Sequence, residues 1–245
     1  MFFNKIKTHR DTALIELPGN INLAIACDSA GGIGDKERDV VKVSPYILGR
    51  FTSRVALMEI ISINAEPVAL SVCIASEPHP TGDLILDGIK SELKEINKEN
   101  LPITISTEKN IHTVQTGLGV TCVGVYEREN LLAGRVKRGN KIYVVGIPKV
   151  GNEVKLEDND LFDLKTLIKL KNSKEVNEII PVGSKGILGE LENFSLNTLL
   201  NYRLFSSLTI DIKKSAGPCT CAIVFAENDL SLDLSISVHL IGEVV

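Results

Sequence analysis

Several features that assign proteins to familiar classes are missing from this sequence. Its 245 residues carry a formal net charge of −4, so it lacks the basic excess typical of nucleic-acid-binding proteins. No apolar run is long enough to span a bilayer, and the N-terminus lacks the long apolar region of a signal peptide. We therefore expect a cytoplasmic protein that binds neither nucleic acid nor a membrane.

Familiar enzyme motifs are missing as well. No Ser/His/Asp or Cys/His set can be recognised, and the P-loop spacing does not occur. The five cysteines form no Cys-x-x-Cys pair, and a zinc site at Cys219 and Cys221 would need two further ligands, none of which is nearby in the sequence. We interpret the cysteines as reduced thiols in a reducing compartment.

The sequence does contain apolar material in a mixed order of strands and helices. Hydrophobic residues make up 44% of the chain, which is enough for a core. Residues 81–96 have the spacing of an amphipathic helix, and strict alternation over residues 232–240 predicts a last strand with one buried face. A charged stretch at 127–138 indicates a boundary. We predict an α+β protein with domains of residues 1–128 and 129–245.

The most informative segment runs from residue 23 to residue 34, Leu-Ala-Ile-Ala-Cys-Asp-Ser-Ala-Gly-Gly-Ile-Gly. An apolar run typical of a buried strand ends at Asp28, and three glycines follow, Gly31, Gly32 and Gly34. A carboxylate at a strand end can hold a metal ion, and glycines let backbone amides approach a phosphate closely. The alternative interpretation is a simple turn, because paired glycines after a strand commonly form one.

Two further acids fit a metal site with Asp28. Glu59 lies among apolar residues of a predicted helix, and Glu108 follows a predicted strand at 103–106. Magnesium prefers oxygen ligands and usually takes a few carboxylates together with substrate phosphates. The alternatives are that Glu59 pairs with Arg54 or lies on a wet flank of its helix, and that Glu108 is a solvated loop residue.

The second half of the chain has its own glycine-rich turn, Gly183-Ser184-Lys185-Gly186. The turn ends one predicted strand and opens a helix, so its amides could bind an anion at the positive helix terminus, with Lys185 as an added charge. A basic turn at 213–218, Lys-Lys-Ser-Ala-Gly-Pro, either is structural or lines a substrate pocket.

Taken in order, these segments resemble the superfamily of aminoimidazole ribonucleotide synthetase, thiamine monophosphate kinase, selenophosphate synthetase and a hydrogenase maturation factor. The resemblance covers most of the chain: the strand ending in Asp28, the helix with Glu59 that runs into Asn-Ala-Glu-Pro at 64–67, and Ser-Thr-Glu at 106–108. Within the superfamily, the sequence is most similar to the α-ribazole kinase branch. The segments that carry this similarity are Cys-Asp-Ser-Ala-Gly-Gly-Ile-Gly, Gly-Arg-Phe-Thr-Ser-Arg-Val-Ala and Lys-Ser-Ala-Gly-Pro.

This resemblance implies a two-domain synthetase-like fold: an N-terminal domain that dimerises through its sheet and binds ATP, and a C-terminal α/β domain that closes the cleft. It implies an ATP- and Mg²⁺-dependent kinase that phosphorylates a small nucleoside-like metabolite, with α-ribazole, the nucleoside of the cobamide lower ligand, as the best candidate. The implied roles are magnesium binding by Asp28, Glu59 and Glu108; phosphate contacts from Gly31, Gly32, Gly34 and Lys36; and contacts from the second domain through Gly183, Lys185 and Gly186, with Asp28 and Lys185 the residues most directly involved in catalysis.

Three departures from the family pattern keep other functions open. The glycine-rich segment with paired aspartates is missing at the N-terminus, the turn at 181–187 lacks an acid, and Glu59 stands where the family has Asp. The alternatives are an ATP-dependent ligase or cyclase of the aminoimidazole ribonucleotide synthetase type and a nucleotide-binding protein without catalysis.

Overall fold

A computed structural model describes residues 5–245, with side chains from residue 8 onward. The chain divides into two compact units. The first contains the residues up to Ile60 together with Ala65–Glu129, and the second contains Ile61–Asn64 and Asn130–Val245. The chain passes into the second unit one residue after the predicted boundary at 128, and four residues near the end of a helix group with the second unit.

The first unit is built on a six-stranded sheet in the order β1-β2-β3-β8-β6-β7. Its strands are β1 (Lys5–His9), β2 (Thr12–Glu16), β3 (Ile21–Gly31), β6 (Glu66–Ile74), β7 (Ile103–Thr107) and β8 (Gly117–Glu127). All neighbours are antiparallel except β6 and β7. The short strands β4 (Ile33–Gly34) and β5 (Val41–Lys42) form a separate parallel pair beyond the end of β3.

Two helices, α1 (Pro45–Ser62) and α2 (Asp83–Lys94), pack on each other through glycines. A Cβ at Gly49 would lie 2.1 Å from the carbonyl oxygen of Ile85, and one at Gly88 would lie 2.1 Å from that of Tyr46. Arg54 of α1 donates to the buried carboxylate of Glu92 of α2 at 2.7 Å. The sequence had offered Glu59 as its partner, so that interpretation is wrong.

The two faces of the first sheet differ in burial. Alternate residues such as Ala24, Ala26, Val72 and Val120 are fully buried. Their neighbours on the other face, which we call the open face, are all at least partly exposed. The open face comprises Ala13, Ile15, Ile21, Leu23, Ile25, Cys27, Ser29, Ala69, Ser71, Cys73, Thr104, Ser106, Thr121, Val123 and Val125. It is apolar towards the Leu23 end of β3 and small and polar towards the Ser29 end.

The second unit contains a five-stranded antiparallel sheet in the order β10-β12-β9-β13-β11. The strands are β9 (Lys141–Gly146), β10 (Val176–Pro181), β11 (Tyr202–Leu204), β12 (Cys221–Ala226) and β13 (Val238–Val244), and the helices are α3 (Leu164–Lys171) and α4 (Gly186–Thr198). Strand β12 is buried along its whole length.

The predicted mixed α and β class is confirmed, and two local predictions need correction. The last strand begins at Val238, so most of the alternating segment 232–240 is irregular. The pairing of β13 with β9 ends at Val238 opposite Val145, so the residues of this segment before Val238 have no strand partner. The strand that was predicted to end at Asp28 is β3, and it continues three residues further, to Gly31. Among the described residues, no helix is long and apolar enough to cross a membrane.

Candidate functional site

Asp28 lies within strand β3, not after its end. It pairs with Val120 of β8, and the ladder continues to Gly31 and Gly117. The alternation of β3 places Asp28 on the face covered by helices, in register with buried residues. Burial raises the pKa of its carboxyl to about 6, although a backbone hydrogen bond from Ser29 opposes the shift. A carboxyl with a pKa near neutrality that follows buried residues on the covered face of a sheet is a typical candidate for a functional group.

The glycines after Asp28 form a turn that is closed by protein atoms. The Gly32 amide donates to the carbonyl of Thr116 at 3.0 Å. A Cβ at Gly34 would lie 2.4 Å from the hydroxyl of Thr116 and 2.6 Å from the carboxylate of Asp39. The sequence predicted phosphate contacts for both glycines. For Gly32 and Gly34 the structure supports the alternative, a structural turn, whereas Gly31 is exposed and has open space above its Cα.

Asp39 is the residue that organises this turn. It is 5% exposed, and its carboxylate accepts hydrogen bonds from the amide and hydroxyl of Thr116 and from the amide of Lys36. Sequence analysis had given Asp39 no role. By holding the amide of Lys36, Asp39 fixes the point from which the Lys36 side chain extends.

Lys36 reaches a cleft of about 560 Å³ within the first unit. The cleft is lined by Lys36, Glu77, Pro78, Glu108, Lys109, Asn110, Ile111 and His112. The ammonium of Lys36 lies 2.5 Å from the carboxylate of Glu77, which also accepts from the hydroxyl of Thr81. Burial raises the pKa of Glu77, but these hydrogen bonds outweigh it and hold the pKa below its usual value. Lys36 and Glu108 are thus two predicted site residues that the fold brings to one cleft.

Glu108 has a structural task in the same cleft. Its carboxylate accepts hydrogen bonds from the amides of Asn110 and Ile111, at 2.7 and 3.1 Å. These bonds hold its pKa below the usual value. The amide of Glu108 donates to the carbonyls of Ile74 and Ser76 at the end of β6. Glu108 therefore shapes the loop that carries Lys109 and His112, and its carboxylate faces backbone donors.

Glu59 is buried on α1 and faces a cation. Its carboxylate lies 3.4 Å from the guanidinium of Arg10, and the two side chains are only 6% and 8% exposed. Among residues 5–245, no group of three His, Cys, Asp or Glu side chains is placed to hold a metal ion. Asp28, Glu59 and Glu108 therefore do not form the predicted magnesium site. The donor set does not fit the ion, because one carboxylate is paired with a guanidinium and another with amides.

The glycine-rich turn of the second unit joins β10 to α4. The amides of Gly186 and Ala216 both donate to the carbonyl of Gly183, so the turn at 183–186 packs against the basic turn at 213–218. Gly186 has φ +71°, and a Cβ there would lie 2.6 Å from the carbonyl oxygen of Lys214. Lys185 is exposed at the start of α4, and no side-chain cap occupies that helix end. Two motifs that the sequence treated separately are therefore one surface.

Searches against family models and curated proteins find no match. Solved structures do match. PurL from Thermotoga maritima complexed with ATP is 15% identical, with a TM-score of 0.62. The match covers 96% of this chain but only 37% of PurL. Thiamine monophosphate kinase from Aquifex aeolicus is 13% identical with a TM-score of 0.67, and 97% of this chain covers 89% of the kinase. A structure of AaThiL holds AMPPCP and TMP, with 14% identity and a TM-score of 0.62 over 96% of this chain and 84% of that one.

The chain shares the fold of PurL and of thiamine monophosphate kinase. The resemblance seen in the sequence is confirmed at the level of the fold, with likenesses that extend over almost all of the chain. The α-ribazole kinase branch is not confirmed. At these identities the likeness shows the fold alone, and the chemistry of this chain must be argued from its own residues.

Three residues of the first unit were missed by sequence reasoning. Asp39 lies in a loop rich in charge and Glu77 in a short loop between two prolines and a strand, and in neither place does a sequence pattern distinguish a partnered acid from a solvated one. Arg10 lies between two strand-like runs, next to Asp11. A signal was present at Arg10, since a long basic side chain is uncommon in a two-residue hairpin turn.

Proposed function

We propose that this protein is an ATP-dependent kinase that phosphorylates a small nucleoside-like metabolite, with α-ribazole as the best candidate acceptor. The observation that carries the proposal is the match with thiamine monophosphate kinase, which covers nearly the full length of both chains. PurL shares the fold but is far longer, since this chain spans only 37% of it.

The cleft beside Lys36 is the proposed phosphate site. Lys36 and Lys109 supply two ammonium groups, and the carboxylates of Glu77 and Glu108 are already satisfied by donors. Phosphoryl transfer depends mostly on positioning and on neutralising phosphate charge, so lysines in a shaped cleft suit the chemistry. An arriving phosphate would compete with Glu77 for Lys36, so a nucleotide that binds here would have to displace the Glu77 carboxylate from the Lys36 ammonium.

The proposed contribution of the second unit is Lys185. It stands at the N-terminus of α4, where the helix dipole favours anions. Its side chain is exposed, so it is available to a phosphate or to acceptor hydroxyls. Asp28 is the proposed acid–base residue, because a carboxyl with a pKa of about 6 can exchange a proton near neutral pH.

A second candidate function is nucleotide binding without turnover. It is favoured by one observation, the pairing of Glu59 with Arg10 in place of the predicted metal site. A ligase or cyclase is the third candidate, and it has no specific support among the described side chains.

Turnover of ATP with and without α-ribazole separates these candidates. The kinase predicts that ADP forms in step with a phosphorylated nucleoside, measured by ³¹P NMR, and that ADP formation is slow without acceptor. Lys36→Ala should lower catalytic efficiency about tenfold or more, because a charge-assisted contact contributes roughly 1.5–3 kcal/mol. Lys94→Ala is the matched control, since Lys94 is exposed on α2 in the same unit. ATP binding without any turnover would select the second candidate.

The proposed partner is a second copy of this chain, paired through the open face of the first unit. That face carries Leu23, Ile25, Val123 and Val125, all partly exposed, opposite the face that the helices bury. Ile25→Asp should convert a dimer to a monomer in sedimentation equilibrium. The control is Leu196→Asp, which should leave the dimer intact, because Leu196 lies on the second unit and is already 77% exposed. A monomeric parent at micromolar concentration would contradict the pairing.

A further inference from the structure

Arg10 occupies a backbone position that does not favour arginine. It lies in the two-residue turn between β1 and β2, where His9 pairs with Thr12. Its φ is +53°, in the left-handed region that Gly, Asn and Asp adopt most easily. The backbone alone would favour one of those residues. A strained non-glycine residue at such a turn points to a task for its side chain.

The Arg10 side chain is buried against α1. Only 8% of it is exposed, and its guanidinium lies 3.4 Å from the carboxylate of Glu59, which is 6% exposed. Thr12, two residues further along, is 1% exposed, and Ala26, its partner on β3, precedes Asp28 by two residues. The guanidinium therefore enters the layer between the sheet and α1, on the face of the sheet that also carries Asp28.

A guanidinium and a divalent cation exclude each other at one carboxylate. The guanidinium is charged at every physiological pH, and its charge would repel a dication brought to the same oxygens. Burying an ionised carboxylate carries a large desolvation penalty, and a cation against its oxygens offsets that penalty. Arg10 supplies that cation from within the chain.

We infer that Arg10 is a built-in cation, which takes the place at Glu59 that the sequence predicted for a divalent metal ion. Glu59 is then a structural acid, and the positive charge between the sheet and α1 is independent of metal supply. This inference goes beyond the proposed function and does not depend on it, because it concerns the nucleotide-free protein. Any divalent ion that a nucleotide brings must find its protein ligands away from Glu59.

The test uses paramagnetic Mn²⁺ and the full-length parent protein without nucleotide. In ¹H–¹⁵N spectra the Arg10 side-chain Nε–H signal is identified by its loss in Arg10→Lys. We expect Mn²⁺ at low millimolar concentration to leave that signal and the amide of Glu59 unbroadened. Selective broadening of both signals, reversed by EDTA, places the metal at Glu59 and overturns the inference.

A second measurement examines the pair itself. Arg10→Gln leaves Glu59 buried without its cation, and the melting temperature should fall by on the order of 10 °C. The double variant Arg10→Gln with Glu59→Gln should recover most of that loss. Arg10→Gln melting within about 1 °C of the parent would refute a built-in cation. Arg10→Gln that is rescued by Mg²⁺ alone would support it, because the metal then takes the vacated place.

Discussion

The two glycine-rich turns of this protein look alike in sequence and differ in structure. The turn at 31–34 is closed by Asp39 and Thr116, and Gly34 makes room for those two side chains. The turn at 183–186 opens a helix and is backed by the carbonyls of the basic turn, with Ser184 and Lys185 exposed. Glycine serves close packing in both places. Only the second turn leaves a charged side chain facing outward, so only it keeps the anion-binding interpretation.

The largest expected effect is at Gly34. Gly34→Ala adds a Cβ that would lie 2.4 Å from the hydroxyl of Thr116, at a φ of +154°. Left-handed strain and overpacking together should destabilise the first unit by about 3–5 kcal/mol, measured by urea unfolding. Gly31→Ala is the control, because nothing lies within 4 Å of its added Cβ. Equal stability of the two variants would mean that Asp39 and Thr116 do not close the turn at Gly34.

Asp28 provides the next largest effect. Its pKa is raised to about 6, above the value near 4 of an unfolded chain, so the folded protein binds the proton more tightly. Stability should therefore fall as pH rises from about 4 to 6, by about 3 kcal/mol in all. Asp28→Asn should remove this fall and melt higher than the parent at pH 7.5. A variant that melts lower than the parent at pH 7.5 would show that the ionised carboxylate is stabilised by a partner.

Gly186 tests the second turn in the same way as Gly34 tests the first. Gly186→Ala meets the carbonyl oxygens of Lys214 and Lys213 at 2.6 and 2.9 Å, at a φ of +71°. We expect a loss of about 2–3 kcal/mol from left-handed strain and crowding. Hydrogen exchange should show the loss in α4 and not in α1, because the two helices lie in different compact units.

Lys185 should give the smallest change in stability. Lys185→Ala removes an exposed side chain, so the free energy of unfolding should stay within about 0.5 kcal/mol of the parent. If the turn binds phosphate or acceptor, catalytic efficiency should fall about ten- to a hundredfold, as expected for a charge-assisted contact of roughly 1.5–3 kcal/mol. The measurement is steady-state kinetics for ATP and nucleoside, with Lys169→Ala on α3 as control. Kinetics within twofold of the parent would remove 183–186 from the site.

Much of the fold could be predicted from local patterns. The strand around residues 23–27, the helix with Glu59 and the helix at α2 were all read from apolar spacing, and the order of elements led to the superfamily fold. Local patterns failed to predict structure where the pairing with a distant segment decides whether a strand forms. Residues 232–237 alternate perfectly and still form no strand, because a ladder needs a neighbouring strand in register.

The candidate site was predictable in its location and not in its contacts. Sequence placed Asp28 and Glu108 after strands, and the family resemblance implied a phosphate contact from Lys36. The fold brings Lys36 and Glu108 to one cleft. The sequence could not show that Glu77 holds Lys36, since these residues are separated by 41 positions. It also could not show which cation faces Glu59.

The sequence by itself determined which residues carry charge, where glycine allows tight turns, and which order of strands and helices the chain follows. Those properties are local, because they depend on side-chain chemistry and on apolar period. Tertiary structure decided what each charge faces. Arg10 meets Glu59 only because a hairpin turn is carried to α1, and Asp28 is shielded only because helices cover one face of the sheet. Whether a carboxylate binds a metal ion, pairs with a guanidinium or accepts from an amide depends on which groups the fold places beside it.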